Sequence, residues 1–315
     1  MGNIFVCESN TTDPYRNLAV EEWFTSNVDE DDCILFLWQN TDTVVIGKNQ
    51  DIYSECDIDS MTRDNVLPAR RLSGGGAVFH DTGNLNFSFC AGTSVYDVSR
   101  QTGVILNAVK SLGIKAVRTG RNDIEAGGAK FSGNAFLKKE NGNCHHGTVL
   151  IETDPEKMMR YLTPDKEKLS KRAVSSVKAR TVNLSSLKSD ITPRIMKEAI
   201  IRAFQEEYQA LKKTDLPCDP FGTEFDRKEA GEIQSLEKRF SSTEWIYGKK
   251  SVFTHQYKKR FVFGGVDIRM QVEEGIIKTV KVFSDALDPD VDAEIEMRLL
   301  GQRYDRTVID SIIEN

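Results

Sequence analysis

The chain has 315 residues, of which 39% are hydrophobic and 29% charged, with a formal net charge of −6. This suits a globular protein of one large domain plus a small one, or two of similar size, and the acidic balance argues against a general nucleic-acid binder. No apolar run approaches the roughly 20 residues that span a bilayer, so no membrane partner is expected. Cys7, Cys33, Cys56, Cys90, Cys144 and Cys218 lie at irregular spacings without a C-x-x-C pair. That pattern favours reduced thiols over a disulfide framework or a structural zinc site. Residues 1–6 lack a basic stretch followed by an apolar one, and a cytoplasmic protein is expected.

Ile4-Phe5-Val6-Cys7 predicts a short strand, and Asp13-Pro14 opens an amphipathic helix carrying Leu18, Glu21, Glu22 and Trp23. Apolar runs at 33–38 and 43–47 predict two buried strands. Lys48 follows the second, where it either faces a ligand or is an ordinary solvated lysine. A polar helical stretch over 52–64 leads to Pro68 and then to Arg70-Arg71-Leu72-Ser73-Gly74-Gly75-Gly76-Ala77-Val78-Phe79-His80-Asp81. Residues 77–79 and 84–89 predict two strands joined in hairpin fashion by Asp81-Thr82-Gly83. The second alternates polar and apolar residues, as a half-buried antiparallel strand does.

A helix over 98–112 carries Val104, Ile105, Ala108, Val109 and Leu112 on one stripe and stops at Gly113. Glu125-Ala126-Gly127-Gly128 predicts a tight turn, 129–136 a strand rich in small residues, and 145–151 its partner across Asn141-Gly142-Asn143. Helices are predicted at 155–162, 164–169 and 193–208. A basic segment of open form lies at 175–184, a loop at 211–222, and mostly helix at 223–243. From 253 to 283 strands alternate with glycine turns, followed by a helix over 290–304 and a short last one. This is the make-up of a small α+β domain.

Three successive glycines let a backbone approach a ligand closely, and successive N–H groups there can form an anion nest; a plain flexible turn uses the same residues. Arg71 offers a forked cation for phosphate or carboxylate. The loop is neither a G-x-x-x-x-G-K-[ST] phosphate loop nor a dinucleotide fingerprint opening a helix, because a strand follows Gly76. No H-E-x-x-H or G-x-S-x-G motif occurs.

The segment from Arg70 through Gly83-Asn84 resembles the signature of lipoate–protein ligases. Gly120-Arg121-Asn122-Asp123, Lys130-Phe131-Ser132-Gly133-Asn134-Ala135 and His145-His146-Gly147-Thr148 resemble its companion motifs in the same order, and Ser176-Val177-Lys178-Ala179-Arg180 extends the likeness. The resemblance implies an α+β catalytic domain of mixed and antiparallel sheets with flanking helices, shared with biotin ligases, over 1–244. A small α+β accessory domain would follow over 245–315. It implies ATP-dependent activation of lipoate to lipoyl-AMP with Mg2+ assisting, then lipoyl transfer to a lysine of an acceptor. Lipoyl domains of 2-oxoacid dehydrogenase complexes or a glycine-cleavage H protein would be the acceptors. A monomer with no permanently bound cofactor is expected.

On this reading Lys130 is the catalytic residue, holding the lipoate carboxyl oxygen and the α-phosphate together. Arg71, Gly75, Gly76, Ala77, Val78, Phe79, Asn84 and Asp123 join Lys130 on the nucleotide, and Asp123 is the metal-ligand candidate. Ser73, Gly133, Ala135 and His146 join Lys130 on lipoate, with Val45 and Trp38 as apolar lining and His80 as pocket wall. Arg70 is read as structural or superficial. The alternatives are a transferase of the same superfamily working through a cysteine, for which Cys144 in the 141–144 turn is the candidate, and a non-catalytic lipoate- or nucleotide-binding protein. The accessory domain is expected to move, because activation excludes water and transfer admits a protein lysine.

Overall fold

The computed structural model describes residues 2–120, 122–162, 181–209, 212–213, 227–248 and 253–314. The expected helix at 164–169, most of the basic segment at 175–184, most of the loop at 211–222, Arg121 and Cys218 lie outside the described residues.

The architecture is α+β. Eight strands form one mixed sheet in the order β11-β1-β2-β6-β10-β9-β8-β7. They are β1 (Asn3–Glu8), β2 (Cys33–Trp38), β6 (Asn84–Ala91), β7 (Ala116–Thr119), β8 (Asp123–Ala126), β9 (Ala129–Lys138), β10 (Asn143–Leu150) and β11 (Lys212–Lys213). A second sheet, β4-β3-β5, is built from β3 (Thr43–Ile46), β4 (Leu67–Arg70) and β5 (Val78–His80). The accessory unit holds β12 (His255–Arg260), β13 (Gly265–Glu273) and β14 (Ile276–Ser284) with the helices Val291–Leu299 and Arg306–Glu314.

The large sheet separates two cores, and the period-2 alternation of its strands feeds both. In β2, Cys33, Leu35 and Leu37 enter the core shared with α4 (Val98–Ser111) and the helix Pro193–Glu207. Ile34, Phe36 and Trp38 enter the core under α1 (Pro14–Asn27) and the helix Arg227–Phe240. A strand covered on both faces reads as a continuous apolar run, which is why CILFLW does not alternate. Asp13 starts α1 by accepting the Tyr15 and Arg16 N–H groups, with Pro14 in the first turn, and Asp97 does the same for α4.

Three expectations are corrected. β5 and β6 do not form a hairpin: β5 pairs with β3 and β6 with β2 and β10. Asp81 receives the Gly83 N–H on one carboxylate oxygen and the Asp154 N–H on the other, so the turn carries the chain from one sheet to the next. β6 is not half-exposed either, since all eight of its residues are buried, its polar positions lying on the α1 side. The stretch over 52–64 is two short helices, Ile52–Glu55 and Ile58–Arg63, because Asp51 and Asp57 each cap a new start.

Arg70 is structural. Its guanidinium donates to the carbonyls of Gly47, Lys48, Gln50, Trp245 and Ile246, and so ties the 47–50 turn to the helix Thr243–Tyr247. Trp245 returns a bond from its indole N–H to the Arg70 carbonyl. Trp245 and Ile246, which the sequence places at the start of the accessory domain, therefore pack on the large one. Replacing Arg70 with Met leaves these buried carbonyls without their donor. The free energy of urea unfolding is expected to fall by roughly 3 kcal/mol.

Candidate functional site

A cleft opens where the two sheets meet. Trp38, Val45, Ala77 and Val78 form an apolar wall, and Gly133, Ala135, Gly147 and Thr148 face it from β9 and β10. Arg71, His80, Asn86, Asn122, Lys130, Asn134 and His146 supply the polar lining, and Gly75 and Gly76 close one side. Pairing in register puts Ala135 beside His146 and Asn134 beside Gly147. Gly147 has no room for a side chain, because a Cβ there would stand 2.5 Å from Phe87 Cζ and 2.8 Å from the Gly133 carbonyl oxygen.

Arg71 is buried inside the glycine loop. Its Nη2 donates to the carbonyls of Gly74 (2.7 Å) and Gly76 (2.9 Å), its Nη1 to Val45 O and its Nε to Ser73 Oγ. Burial pulls its pKa down to about 10 while the charge of Glu21 pushes up, so the guanidinium stays charged at neutral pH. In a trans peptide the C=O and the following N–H point in opposite directions. With the Gly74 and Gly76 carbonyls turned toward Arg71, the Gly75 and Ala77 N–H groups point away from it. Arg71 thus shapes the nest, and its fork is spent on the loop that the sequence pairs it with.

Ser73 Oγ also lies 2.7 Å from His146 Nε2, and His146 Nδ1 lies 2.8 Å from Glu21 Oε1, which accepts from Ser88 Oγ as well. Burial opposes the Glu21 charge, but His146, the Ser88 hydroxyl and Arg71 together hold its carboxyl below the usual range. The chain Glu21–His146–Ser73–Arg71 joins α1, β10 and the glycine loop through buried hydrogen bonds.

Lys130 Nζ forms an ion pair of 2.7 Å with Asp123 Oδ1, each side chain about a third exposed. The lysine folds back over Gly133, where a Cβ would meet Lys130 Cε and Nζ at 2.9 Å. Among the described residues one His/Cys/carboxylate group has metal-like spacing, Glu21, Cys144 and His146, and Asp123 is no part of it. Phe79 turns away from the cleft and packs on Tyr161, so the apolar wall is Ala77 and Val78. Asn84 is buried behind Asn86 and donates to its Oδ1, leaving Asn86 as the residue that reaches the cleft. Ser73 is likewise fully buried and acts through His146 and Arg71. Cys144 is no turn residue: β10 begins at Asn143, which places its thiol beside Cys90 in a fully buried position. Contact with Cys90 and burial raise that thiol well above its ordinary range.

The accessory unit reaches the same loop. The Gly75 N–H donates to the Ala286 carbonyl at 2.6 Å, and a Cβ on Gly74 would stand 2.2 Å from that oxygen. Lys48 pairs with Asp290 at 2.9 Å, so the side chain expected at a ligand or in free solvent bridges the two units.

Residues 13–205 match the lipoyl protein ligase A/B catalytic domain, and residues 251–315 the bacterial lipoate protein ligase C-terminus. The chain belongs to the lipoate–protein ligase family. It is 38% identical over 304 residues to the lipoate-protein ligase A of Psychrobacter cryohalolentis, covering 96% of this chain and 89% of that one. The structure of P. falciparum LipL1 in complex with lipoate superposes with a TM-score of 0.79 at 30% identity, over 100% of this chain and 94% of the other. A lipoate-protein ligase A bound with ATP gives 0.66 at 25% identity, over 78% and 98%. The bipartite lipoate protein ligase of Thermoplasma acidophilum, studied with its E2 lipoyl domain, gives 0.68 at 25%, over 80% and 98%.

Within this ligase the motif residues meet, but Glu21, Asn40 and Asn86 escape a motif reading. One signal was available. Asn17, Glu21 and Thr25 repeat every four residues on α1, a polar stripe that the structure buries.

Two measurements follow. An alanine at Gly133 displaces only the flexible end of Lys130, so it is expected to cost under about 1 kcal/mol in unfolding while lowering turnover roughly 10- to 100-fold. For pH, burial with nearby positive charge pulls the pKa values of His80 and His145 down to about 3. In the unfolded chain they protonate near about 6.5, so the unfolded state binds more protons below that pH. Their stabilising contribution, complete above about 6.5, is lost as pH falls toward 3. Urea titrations between about pH 6 and pH 4 should show a loss of about 1.4 kcal/mol per pH unit for each ring, and His145→Gln should remove one share.

Proposed function

We propose that this chain joins lipoate to ATP, forming lipoyl-AMP and pyrophosphate, and then transfers the lipoyl group to a lysine of an acceptor domain. The observation that supports it best is the placement of the Lys130 ammonium at the cleft shared by the glycine loop and the apolar wall. The first step sets an anionic carboxylate against an anionic phosphate, so charge stabilisation and alignment carry the chemistry. A lipoate carboxylate oxygen attacks the α-phosphorus and the bond to pyrophosphate breaks. The neutral acceptor amine then attacks the acyl carbon, the acyl–phosphate C–O bond breaks, AMP leaves, and the amine's surplus proton passes to solvent or to the departing phosphate.

Lys130 serves both steps, first drawing carboxylate and phosphate together and then stabilising the oxyanion on the acyl carbon. The Gly75 and Ala77 N–H groups donate to phosphate oxygens. Trp38, Val45 and Ala135 wall the aliphatic chain, with His146 at its polar side. Asp123 suits magnesium, which takes one or two carboxylates together with nucleotide phosphates; the ion would supply neutralisation of phosphate charge. Since the Gly75 N–H is engaged by Ala286, the accessory unit withdraws when that donor turns to phosphate. The named relatives, one with lipoate, one with ATP and one with a lipoyl domain, support this assignment of substrates and acceptor. We place the protein in the cytoplasm, where the five described cysteines, all buried, stay reduced; no described helix is long and apolar enough to cross a membrane. Acceptors are lipoyl domains of 2-oxoacid dehydrogenase complexes or a glycine-cleavage H protein. A cysteine-based transfer is disfavoured by the burial and raised pKa of Cys144, which is no part of the cleft lining.

Pyrophosphate release with lipoate and ATP before any acceptor is added tests the reading. Lys130→Ala is expected to slow it about 10²- to 10³-fold with folding unchanged. An unaffected rate removes Lys130 from the mechanism, and acyl transfer lost in Cys144→Ser but retained without ATP overturns the ligase.

A further inference from the structure

We propose that Asn134 is a positioning residue for the reaction: it locks the β8–β9 hairpin in the register that brings Lys130 into the cleft beside Asp123. The inference rests on the role given to Lys130 above and adds the device that aims it.

The hairpin is held in two registers that differ by one residue. At its turn, Gly127 and Gly128 have φ of 61° and 81°, the left-handed pair that a two-residue hairpin turn demands. There Ala126 pairs with Ala129 and Glu125 with Lys130. At the open end Asp123 pairs with Gly133 and Ile124 with Ser132. β9 therefore carries one more residue than β8 between these pairs, and Phe131 is taken up in a bulge. The bulge sets the faces. Ile124, Ala126 and Phe131 enter the core shared with α4, whereas Lys130 and Gly133 line the cleft. In an unbroken strand, residues three apart lie on opposite faces. A regular strand paired as at the open end would turn Phe131 into the cleft and the Lys130 ammonium toward the core.

Asn134 enforces the register of the open end. Its backbone N–H and its Nδ2 both donate to the Asn122 carbonyl, at 2.8 and 3.0 Å, and Asn122 Nδ2 returns a bond of 3.2 Å to the Asn134 carbonyl. A carbonyl only accepts, so the Asn134 amide has one orientation, with Nδ2 toward Asn122 and Oδ1 away from it. That Oδ1 lies 2.9 Å from His145 Nε2, whose ring is seated among Phe87, Phe89 and Phe136. Gly147 leaves room for the oxygen, since a Cβ there would stand 2.9 Å from it. His145 is fully buried and Asn134 only 6% exposed, so the clamp is anchored in the core. Asp123 follows Asn122 directly and meets Lys130 Nζ at 2.7 Å, each side chain about a third exposed. An ion pair that exposed contributes too little to set a register by itself. The clamp sets it.

The test is a double-mutant cycle on pyrophosphate release, joined to lysine acylation of the full chain read by mass spectrometry. Asn134→Ala is expected to slow release roughly 10- to 100-fold in the unaltered chain but less than about 2-fold in Lys130→Ala, because residues that act through one group lose it only once. Equal losses in both backgrounds, as a structural or substrate-contacting role gives, would overturn the proposal. Lys130 released from Asp123 holds its proton less firmly, so it is expected to acylate several-fold faster in Asn134→Ala while the other lysines keep their rates. An unchanged Lys130 rate would also overturn it. Should the alanine variant fail to fold, Asn134→Asp decides, with the same outcomes expected: it keeps the size of the side chain and the acceptor for His145 and replaces only the donor to Asn122. The two ideas stay apart. If Lys130→Ala leaves release unchanged while Asn134→Ala speeds acylation of Lys130, the positioning holds and the role of Lys130 in the ligase reading is lost. If Lys130→Ala slows release but the cycle is additive, this inference alone is lost.

Discussion

A buried guanidinium dictates the form of the glycine loop. Arg71 gathers the carbonyls of Gly74 and Gly76, and peptide planarity turns the N–H groups that follow them, those of Gly75 and Ala77, away from it. Three glycines permit many loop shapes; one cation with fixed donor geometry selects among them. The cation is itself held by Ser73, and Ser73 by His146 and Glu21, so the shape of the loop is referred back to the first helix of the chain.

This dependence explains the unusual make-up of the middle of the large sheet. β6 sends Leu85, Phe87 and Phe89 into one core and Asn84, Asn86 and Ser88 toward α1 and the cleft. Burying that polar row is tolerable because its members bond to one another and to Glu21, Trp38 and His80. Half-satisfied, the same row would destabilise the fold more than an apolar one.

The accessory unit shares the constraint. Its Ala286 carbonyl takes one of the N–H groups that Arg71 turns outward, and Lys48–Asp290 and Asp51–Arg269 pin the units beside it. The exposed Lys48–Asp290 pair contributes little on its own, whereas the backbone contact at Gly74 and Gly75 requires glycine at both. The Gly75 N–H proposed above for a nucleotide phosphate is the donor that the accessory unit holds.

Much was legible in the amino-acid order alone: the strands at 33–38, 43–46 and 129–138, the capped helices at 14–27 and 98–111, and a ligand loop followed by a lysine on a strand of small residues. Those features rest on period, capping and turn chemistry, which are local. The partners of the polar groups are not local. Arg71 reads as a free fork until Val45 and its own loop carbonyls are seen to use it, and Phe79 reads as pocket wall until Tyr161 covers it. Asp81-Thr82-Gly83 looks like a hairpin because nothing nearby reveals that its two strands belong to different sheets. Composition and spacing determined that this chain has a glycine loop, a lysine and a cleft of small residues. Tertiary structure decided which N–H groups of the loop face outward, because the Arg71 that sets them is held by Val45, 26 residues away, and through Ser73 by His146, 73 residues further along the chain.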